Sequence, residues 1–185
     1  MRELIVGGIR SGKSAAALAR ARRWLQEPGH DATLVATAIA GDAALAARIA
    51  RHRAERARLV PQLATIEEAH ALPEALDRLC ARSRLVLVDC LTLWAANALA
   101  PLDGPPLHDA AWQARAQALA QAVRNAAGPV VLVSNEIGLG IIGADAATRR
   151  FADALGELNQ RVAAACTRVT LCVAGCELRL KEDAC

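Results

Sequence analysis

The fold is decided by one stretch, Gly7-Gly8-Ile9-Arg10-Ser11-Gly12-Lys13-Ser14. It fits the pattern G-x-x-x-x-G-K-[ST], follows the apolar run Leu4-Ile5-Val6, and precedes an alanine-rich run that favours a helix. In such a loop the backbone N–H groups and the positive end of the helix dipole face a phosphate chain. Lys13 would then reach the β- and γ-phosphates, and the Ser14 hydroxyl would ligate Mg²⁺. The pattern predicts a nucleoside triphosphate as ligand, with an ordinary glycine-rich turn as the alternative.

Strand and helix patterns alternate along the rest of the chain. Apolar runs with little polar alternation predict parallel strands at residues 32–37, 85–89 and 130–134, and a final strand at 169–174. Between the first two of these, Thr65-Ile66-Glu67-Glu68 is typical of a helix start, and Pro73 favours a start at residue 73 instead. The alternation predicts an α/β fold of the P-loop NTPase type, with a mostly parallel sheet and helices on both faces. One domain spanning residues 1–185 is expected.

Polar residues follow two of the predicted strands. Asp89 ends the run Leu85-Val86-Leu87-Val88, which is the Walker B arrangement of a carboxylate facing a phosphate-bound Mg²⁺. The alternative is that Asp89 caps the next helix. Asn135 and Glu136 follow the strand at 130–134, at the carboxyl edge where open parallel sheets bind ligands.

A basic stripe is predicted on the helix that follows Asp42, which is its predicted N-cap. Arg48, His52 and Arg56 recur at i, i+4 and i+8, so their side chains project from one side. A solvated basic face is the ordinary interpretation of such a run. The histidine between arginines indicates more, because neighbouring positive charge disfavours the imidazolium form and leaves a neutral, nucleophilic ring.

Composition excludes several classes of function. The net charge is only +3, and three Trp, one Phe and no Tyr offer no stacking platform for single-stranded nucleic acid. The six cysteines form no C-x-x-C pair, so we interpret them as reduced thiols rather than disulfides or a zinc site. The first strand begins near Met1 and no apolar run reaches transmembrane length, so neither a signal peptide nor a membrane span is expected. A cytoplasmic protein is predicted.

Six blocks in order along nearly the whole chain resemble the bifunctional adenosylcobinamide kinase / adenosylcobinamide-phosphate guanylyltransferase family of cobalamin biosynthesis. The blocks are the phosphate loop at 7–14, Ala36-Thr37-Ala38, Arg48-Ile49-Ala50-Arg51-His52-Arg53, residues 89–94 (DCLTLW), residues 134–140 (SNEIGLG) and residues 156–160 (GELNQ). Leu63 stands near the position where family members usually carry a tryptophan, and Cys176 replaces a usual proline after Gly175.

The resemblance implies two reactions. ATP or GTP phosphorylates the aminopropanol hydroxyl of adenosylcobinamide, and GMP then passes from GTP, through His52, onto adenosylcobinamide phosphate. Lys13 is implied as a second catalytic residue, Ser14 and Asp89 as Mg²⁺ ligands, and the assembly as a homotrimer. The implied nucleotide contacts are Gly7, Gly8, Ile9, Arg10, Ser11, Gly12, Lys13, Ser14, Ala36, Thr37, Ala38, Arg53, Ala54, Glu55, Arg56, Glu67 and Asp89.

Two other functions stay open at this point. One is a single-activity P-loop kinase of another small alcohol or nucleotide, in which His52 and its arginines only bind phosphates. The other is a GTPase-like regulator, which is disfavoured because the sequence has no recognisable guanine-specific N-K-x-D element.

Overall fold

The computed structural model describes residues 1–140, 143 and 145–183. Its strands are β1 (Arg2–Gly7), β2 (Asp31–Ala36), β3 (Ala64–Glu67), β4 (Arg84–Asp89), β5 (Val130–Asn135), β6 (Arg168–Val173) and β7 (Cys176–Glu182). Its helices are α1 (Lys13–Trp24), α2 (Ala43–Leu59), α3 (Leu72–Leu79), α4 (Leu91–Leu99), α5 (Asp109–Asn125) and α6 (Ala146–Ala165). The strands form one sheet in the order β3-β2-β4-β5-β1-β6-β7. The β6–β7 pair is antiparallel and the other pairs are parallel.

Two apolar layers enclose the sheet, so the predicted helices on both faces are confirmed. On one face α1 packs against Ile5 and Leu87, and on the other α3, α4, α5 and α6 pack against Leu4 and Val86. Successive side chains of a strand point to opposite faces, which is why the unbroken apolar runs of β1, β4 and β5 supply both layers. Each fully buried aliphatic side chain stabilises the fold by about 1.5–3 kcal/mol.

The predicted helix start at residues 65–68 is wrong, because this segment forms the edge strand β3. Thr65 and Ile66 are β-branched and pair in parallel with Leu34 and Val35 of β2. The acidic residue at the end of this segment forms a turn after the strand. The Glu68 carboxylate accepts from the backbone N–H groups of residues 70 and 71, at 3.0 and 2.8 Å. These N–H donors lower the pKa of Glu68. The helix α3 begins further on, with Pro73 in its first turn, as predicted.

The strand predicted as the last one is followed by β7, which the sequence pattern did not indicate. Its apolar residues Leu178 and Leu180 are exposed, so burial does not mark it as a strand. Backbone pairing with β6 attaches β7 to the sheet, and ion pairs reinforce it: Arg20 of α1 contacts the fully buried Glu3 at 3.0 Å and Glu177 of β7 at 2.5 Å. The hydrogen bonds to these two carboxylates raise the pKa of Arg20. Among the described residues, no helix is both long and apolar enough to cross a membrane.

Candidate active site

The phosphate loop lies between the end of β1 at Gly7 and the start of α1 at Lys13. The Lys13 ammonium is buried inside the loop, where it donates to the carbonyl oxygens of Gly7 at 2.9 Å and Gly8 at 2.5 Å. Burial lowers the pKa of Lys13. Gly12 precedes the helix with φ of 102°, and no side chain caps the first turn. The loop therefore combines a buried cation with uncapped helix N–H groups, the two features that bind phosphate.

The turn between β6 and β7 packs against the phosphate loop. The backbone N–H of Gly175 donates to the Ser11 carbonyl at 2.9 Å, and a Cβ on Gly12 would lie 3.0 Å from the Gly175 Cα. Ala174 and Gly175 both have positive φ, 51° and 81°, which the tight turn requires. The sequence prediction missed this support because it placed no strand after residue 174.

Gly7 leaves no room for a side chain. A Cβ there would lie 2.3 Å from the Cys172 carbonyl oxygen, a backbone atom of the neighbouring strand β6. Gly7→Ala should therefore destabilise the protein by about 1–3 kcal/mol or more, the usual cost of overpacking. Urea unfolding measures the loss. Gly8→Ala is the matched control, because its Cβ would meet nothing within 4 Å. Equal stability of the two variants would contradict the close approach of β6.

Asp89 lies at the carboxyl end of β4, beside the phosphate loop. Its carboxylate is 3.8 Å from Nη1 of Arg56, and it lines the same groove as Ser14. The N-cap of α4 is Cys90, with no side-chain cap, so the alternative that Asp89 caps the next helix is wrong. The described residues contain no group of three or more His, Cys, Asp or Glu that could hold a metal. A Mg²⁺ ion here would therefore depend on phosphate oxygens in addition to Ser14 and Asp89, as is usual for this ion.

The helix α2 carries the basic stripe across the open side of the loop. Asp42 caps it, as predicted, by accepting from the Leu45 N–H at 2.7 Å. Arg48 and His52 line a groove of about 520 Å³ together with residues 9–15, Asp89 and Asn135. No residue of α2 is buried, so few apolar contacts hold this helix against the sheet. Its polar face borders the groove. Arg48 is exposed, and His52 and Arg56 are half-buried, so the stripe runs from solvent into the space beside the loop.

Arg56 lies deeper than the rest of the stripe. Its side chain is 11% exposed, and burial lowers its pKa. Its Nε is buried and has no hydrogen-bond partner among the described residues. A buried, incompletely paired guanidinium beside a groove is a donor available to an anionic ligand.

The segment Ala36-Thr37-Ala38 contributes in two ways. Ala36 and Ala38 line a smaller cavity of about 130 Å³, which Ser14 and Asp89 also line. Thr37 is fully buried, and its hydroxyl accepts from the Cys90 N–H at 2.9 Å and donates to the Cys90 carbonyl at 2.7 Å. The Thr37 side chain therefore positions the end of β4, and with it Asp89.

Arg53 and Glu67 form an ion pair at a second cavity, on the other side of α2 from the phosphate loop. This cavity measures about 400 Å³, and alanines and isoleucines, among them Ala38 and Ile49, line most of it. Ala54 is exposed and lines neither cavity, whereas Glu55 lines a small cavity beneath α2 with Ser14 and His52. Most of the predicted nucleotide contacts therefore lie near α2 and the phosphate loop. Ala54 lines none of these cavities.

Comparison with known proteins identifies the class of enzyme. Residues 3–180 match the family described as cobinamide kinase / cobinamide phosphate guanyltransferase. The chain belongs to this family. Over 183 residues it is 41% identical to the bifunctional adenosylcobalamin biosynthesis protein CobP of Pseudomonas aeruginosa, and 99% of each chain is covered. It is 33% identical over 186 residues to the bifunctional adenosylcobalamin biosynthesis protein CobU of Escherichia coli, with 96% of this chain and 98% of that protein covered. The resemblance drawn from the sequence blocks is confirmed.

Solved structures outside the family share the fold. The flagellar accessory protein FlaH from Methanocaldococcus jannaschii superposes with a TM-score of 0.50 at 12% identity, covering 98% of this chain and 78% of FlaH. A second solved structure, an ATPase domain, gives a TM-score of 0.52 at 13% identity, covering 92% of this chain and 68% of that domain's chain. At these identities the likeness shows the P-loop NTPase fold alone, which confirms the predicted fold class.

Cys90 is the cysteine at the groove of this cobinamide kinase / guanyltransferase family member. It lines the groove next to Asp89, but desolvation raises the pKa of its thiol to about 11. The thiol therefore stays protonated near neutral pH, and the reactive form of cysteine is the thiolate. The five described cysteines are free thiols, and Cys185 lies outside the described residues. His52 lines the same groove as Cys90.

Proposed function

We propose that this chain phosphorylates adenosylcobinamide with ATP or GTP, and then transfers GMP from GTP through His52 to give adenosyl-GDP-cobinamide and pyrophosphate. The observation that carries the proposal is the shared groove of Lys13, Ser14, Asp89 and His52. A kinase needs the first three, and a covalent nucleotidyl transfer needs a nucleophile within reach of the same bound triphosphate. A plain P-loop kinase has no need of the histidine.

In the kinase step, the aminopropanol hydroxyl oxygen attacks the γ-phosphorus. A new O–P bond forms, the bond from that phosphorus to the β–γ bridging oxygen breaks, and the hydroxyl proton leaves to solvent. Lys13 and the first-turn N–H groups of α1 stabilise the charge on the phosphoryl oxygens and on the departing nucleoside diphosphate.

In the transfer step, a ring nitrogen of His52 attacks the α-phosphorus of GTP. A P–N bond forms as the α–β bridging bond breaks, and pyrophosphate leaves while Lys13 and the loop N–H groups balance its charge. An oxygen of adenosylcobinamide phosphate then attacks the same phosphorus, and the P–N bond breaks to restore the imidazole. Arg48 and Arg56 flank His52 on α2 and would balance the charge on the triphosphate.

The cavity at Arg53 and Glu67 is the proposed site of the guanine base. Its apolar lining suits a planar ring, and the Glu67 carboxylate can accept from the ring's N–H and amino groups. Ala36, Ala38 and Ile49 line it, and the same three residues line the smaller cavity that contains Ser14, His52 and Asp89. One nucleotide could therefore extend from the base site to the phosphate loop.

Mg²⁺ is the proposed metal, held by the Ser14 hydroxyl and the Asp89 carboxylate together with phosphate oxygens. When bound, it neutralises charge on the phosphates. We expect Asp89→Asn to raise the Mg²⁺ concentration for half-maximal kinase rate, because a neutral amide is a weaker ligand for a hard cation. A Mg²⁺ titration of the kinase reaction measures this. The fold should persist, since Asp89 is partly exposed and outside both apolar layers. An unchanged Mg²⁺ dependence would exclude the metal role.

The decisive experiment incubates the protein with adenosylcobinamide, ATP or GTP, and Mg²⁺, and resolves the products by mass. Adenosylcobinamide phosphate with either nucleotide, and adenosyl-GDP-cobinamide with GTP, are the expected products. The phosphate alone, with no label from α-labelled GTP on denatured protein, would instead favour the single-activity kinase.

We further propose that the chain acts as a homotrimer in the cytoplasm. The support for self-association is an edge of exposed apolar side chains at β6 and β7, namely Val173, Leu178 and Leu180, each more than half exposed. An apolar, unpaired strand edge is usually covered by a partner. Sedimentation equilibrium tests this, with a mass of about three times 19.4 kDa expected.

A further inference from the structure

We propose that the side-chain amide of Asn135 contacts the transferred γ-phosphoryl group in the kinase step. The inference rests on the proposed function, which it deepens by adding a residue that the phosphate loop, Asp89 and α2 do not include. Three observations support it: the strand register places Asn135 beside the loop, two hydrogen bonds hold its backbone, and its side-chain amide is unpaired among the described residues.

The register of the sheet places Asn135 beside the phosphate loop. It is the last residue of β5, between the loop strand β1 and the Asp89 strand β4, and it pairs with Gly7. Asp89 pairs with Val133, two residues earlier on β5. Side chains two apart on a strand share a face, so Asn135 and Val133 lie on the face that α1 covers. Asn135 therefore lies on the loop side of the sheet, beyond Asp89 and level with the start of the loop.

Two side chains from different helices hold the backbone of Asn135. Its N–H donates to the Thr92 hydroxyl of α4 at 2.8 Å, and its carbonyl accepts from the Asn159 amide of α6 at 3.1 Å. Asn159 is buried, and its own Oδ1 has no hydrogen-bond partner in the part of the chain that the structure describes. Placing buried polar groups at a strand end is costly, and here it fixes the position of one residue.

The side-chain amide of Asn135 is available to bind a ligand. It is half-buried, makes no hydrogen bond to any described residue, and lines the groove with Lys13, Ser14 and His52. An amide offers two N–H donors and does not titrate, so it can stabilise charge on the phosphoryl oxygens without taking a proton. The α-phosphorus, where GMP transfer occurs, lies two phosphates further along the triphosphate. The contribution of Asn135 should therefore be specific to phosphorylation of adenosylcobinamide.

The test measures both reactions in Asn135→Ala. We expect the kinase kcat to fall about 10²- to 10³-fold, as for loss of one transition-state donor. Covalent labelling of the protein by α-labelled GTP should stay within about threefold of wild type, because that step breaks a different bond. Ser134→Ala is the matched control: its buried Oγ is unpaired within the described residues and faces the opposite side of the sheet, so both reactions should be unchanged.

Thr92 is a positioning residue in this scheme, so Thr92→Val should reduce the kinase rate with the same selectivity, and Thr92→Ser should restore it. A kinase kcat within about threefold of wild type in Asn135→Ala, while Lys13→Ala is inactive, would overturn the inference and leave the proposed function intact. An equal loss of both reactions with a lowered melting temperature would reduce Asn135 to a structural role and also overturn it. If wild-type protein does not phosphorylate adenosylcobinamide, the proposed function itself fails.

Discussion

Replacing His52 with alanine should abolish covalent labelling of the protein by α-labelled GTP and formation of adenosyl-GDP-cobinamide. His52 is the proposed nucleophile, and Cys90, the cysteine that lines the groove, is held as a protonated thiol. Kinase activity should survive in part, because phosphoryl transfer to the hydroxyl depends on the loop and the metal rather than on the imidazole. The measurement is acid-labile label retained on denatured protein, alongside the rate of adenosylcobinamide phosphate formation.

His70→Ala is the matched control for this loss. His70 is exposed on the segment after β3 and lines neither the groove nor the second cavity, so its replacement should leave labelling unchanged. The fold of His52→Ala should be intact, since α2 buries no residue and contributes little to either apolar layer. Label at wild-type stoichiometry on His52→Ala would show that another residue carries the GMP.

Lys13→Ala should lower the kinase kcat by about 10²- to 10³-fold, the usual cost of losing an electrostatic contact to the transition state. The ammonium is held in the loop by the carbonyls of Gly7 and Gly8, and burial keeps it away from solvent, where its field would be weakened. The same variant should slow GMP transfer, because pyrophosphate loses the cation that balances its charge. Steady-state kinetics with adenosylcobinamide and labelled nucleotide measure both effects.

Lys181 is the other lysine of the chain and serves as the control. Its ammonium donates to the carbonyls of Ala163 and Cys166 at the end of α6, at 3.3 and 2.7 Å. Lys181→Ala removes an equal charge from a helix C-terminus, so it should affect stability and leave the kinase rate near wild type. A near-normal kinase rate in Lys13→Ala would contradict the role of the phosphate loop.

Patterns that depend on near neighbours in the chain were readable from the sequence. The phosphate loop is set by glycines and a lysine within eight residues, the cap Asp42 binds an N–H three residues on, and the apolar runs mark buried strands. The stripe of Arg48, His52 and Arg56 follows from helical spacing alone. Each of these features is governed by local backbone geometry, so no knowledge of distant contacts is needed.

The edge strands and the supports of the site depended on residues far apart in sequence. β3 and β7 have weak apolar patterns because they lie at the edges of the sheet, and pairing with β2 and with β6 forms them. Hydrogen bonds between residues far apart in sequence also support the site. The pairs are Thr37 with Cys90, Gly175 with Ser11, and Thr92 and Asn159 with Asn135. A hydrogen bond between such partners exists only once the chain has brought them together. The sequence by itself therefore determined the chemistry that this protein carries, whereas the tertiary structure decided which strand ends and turns hold that chemistry in place.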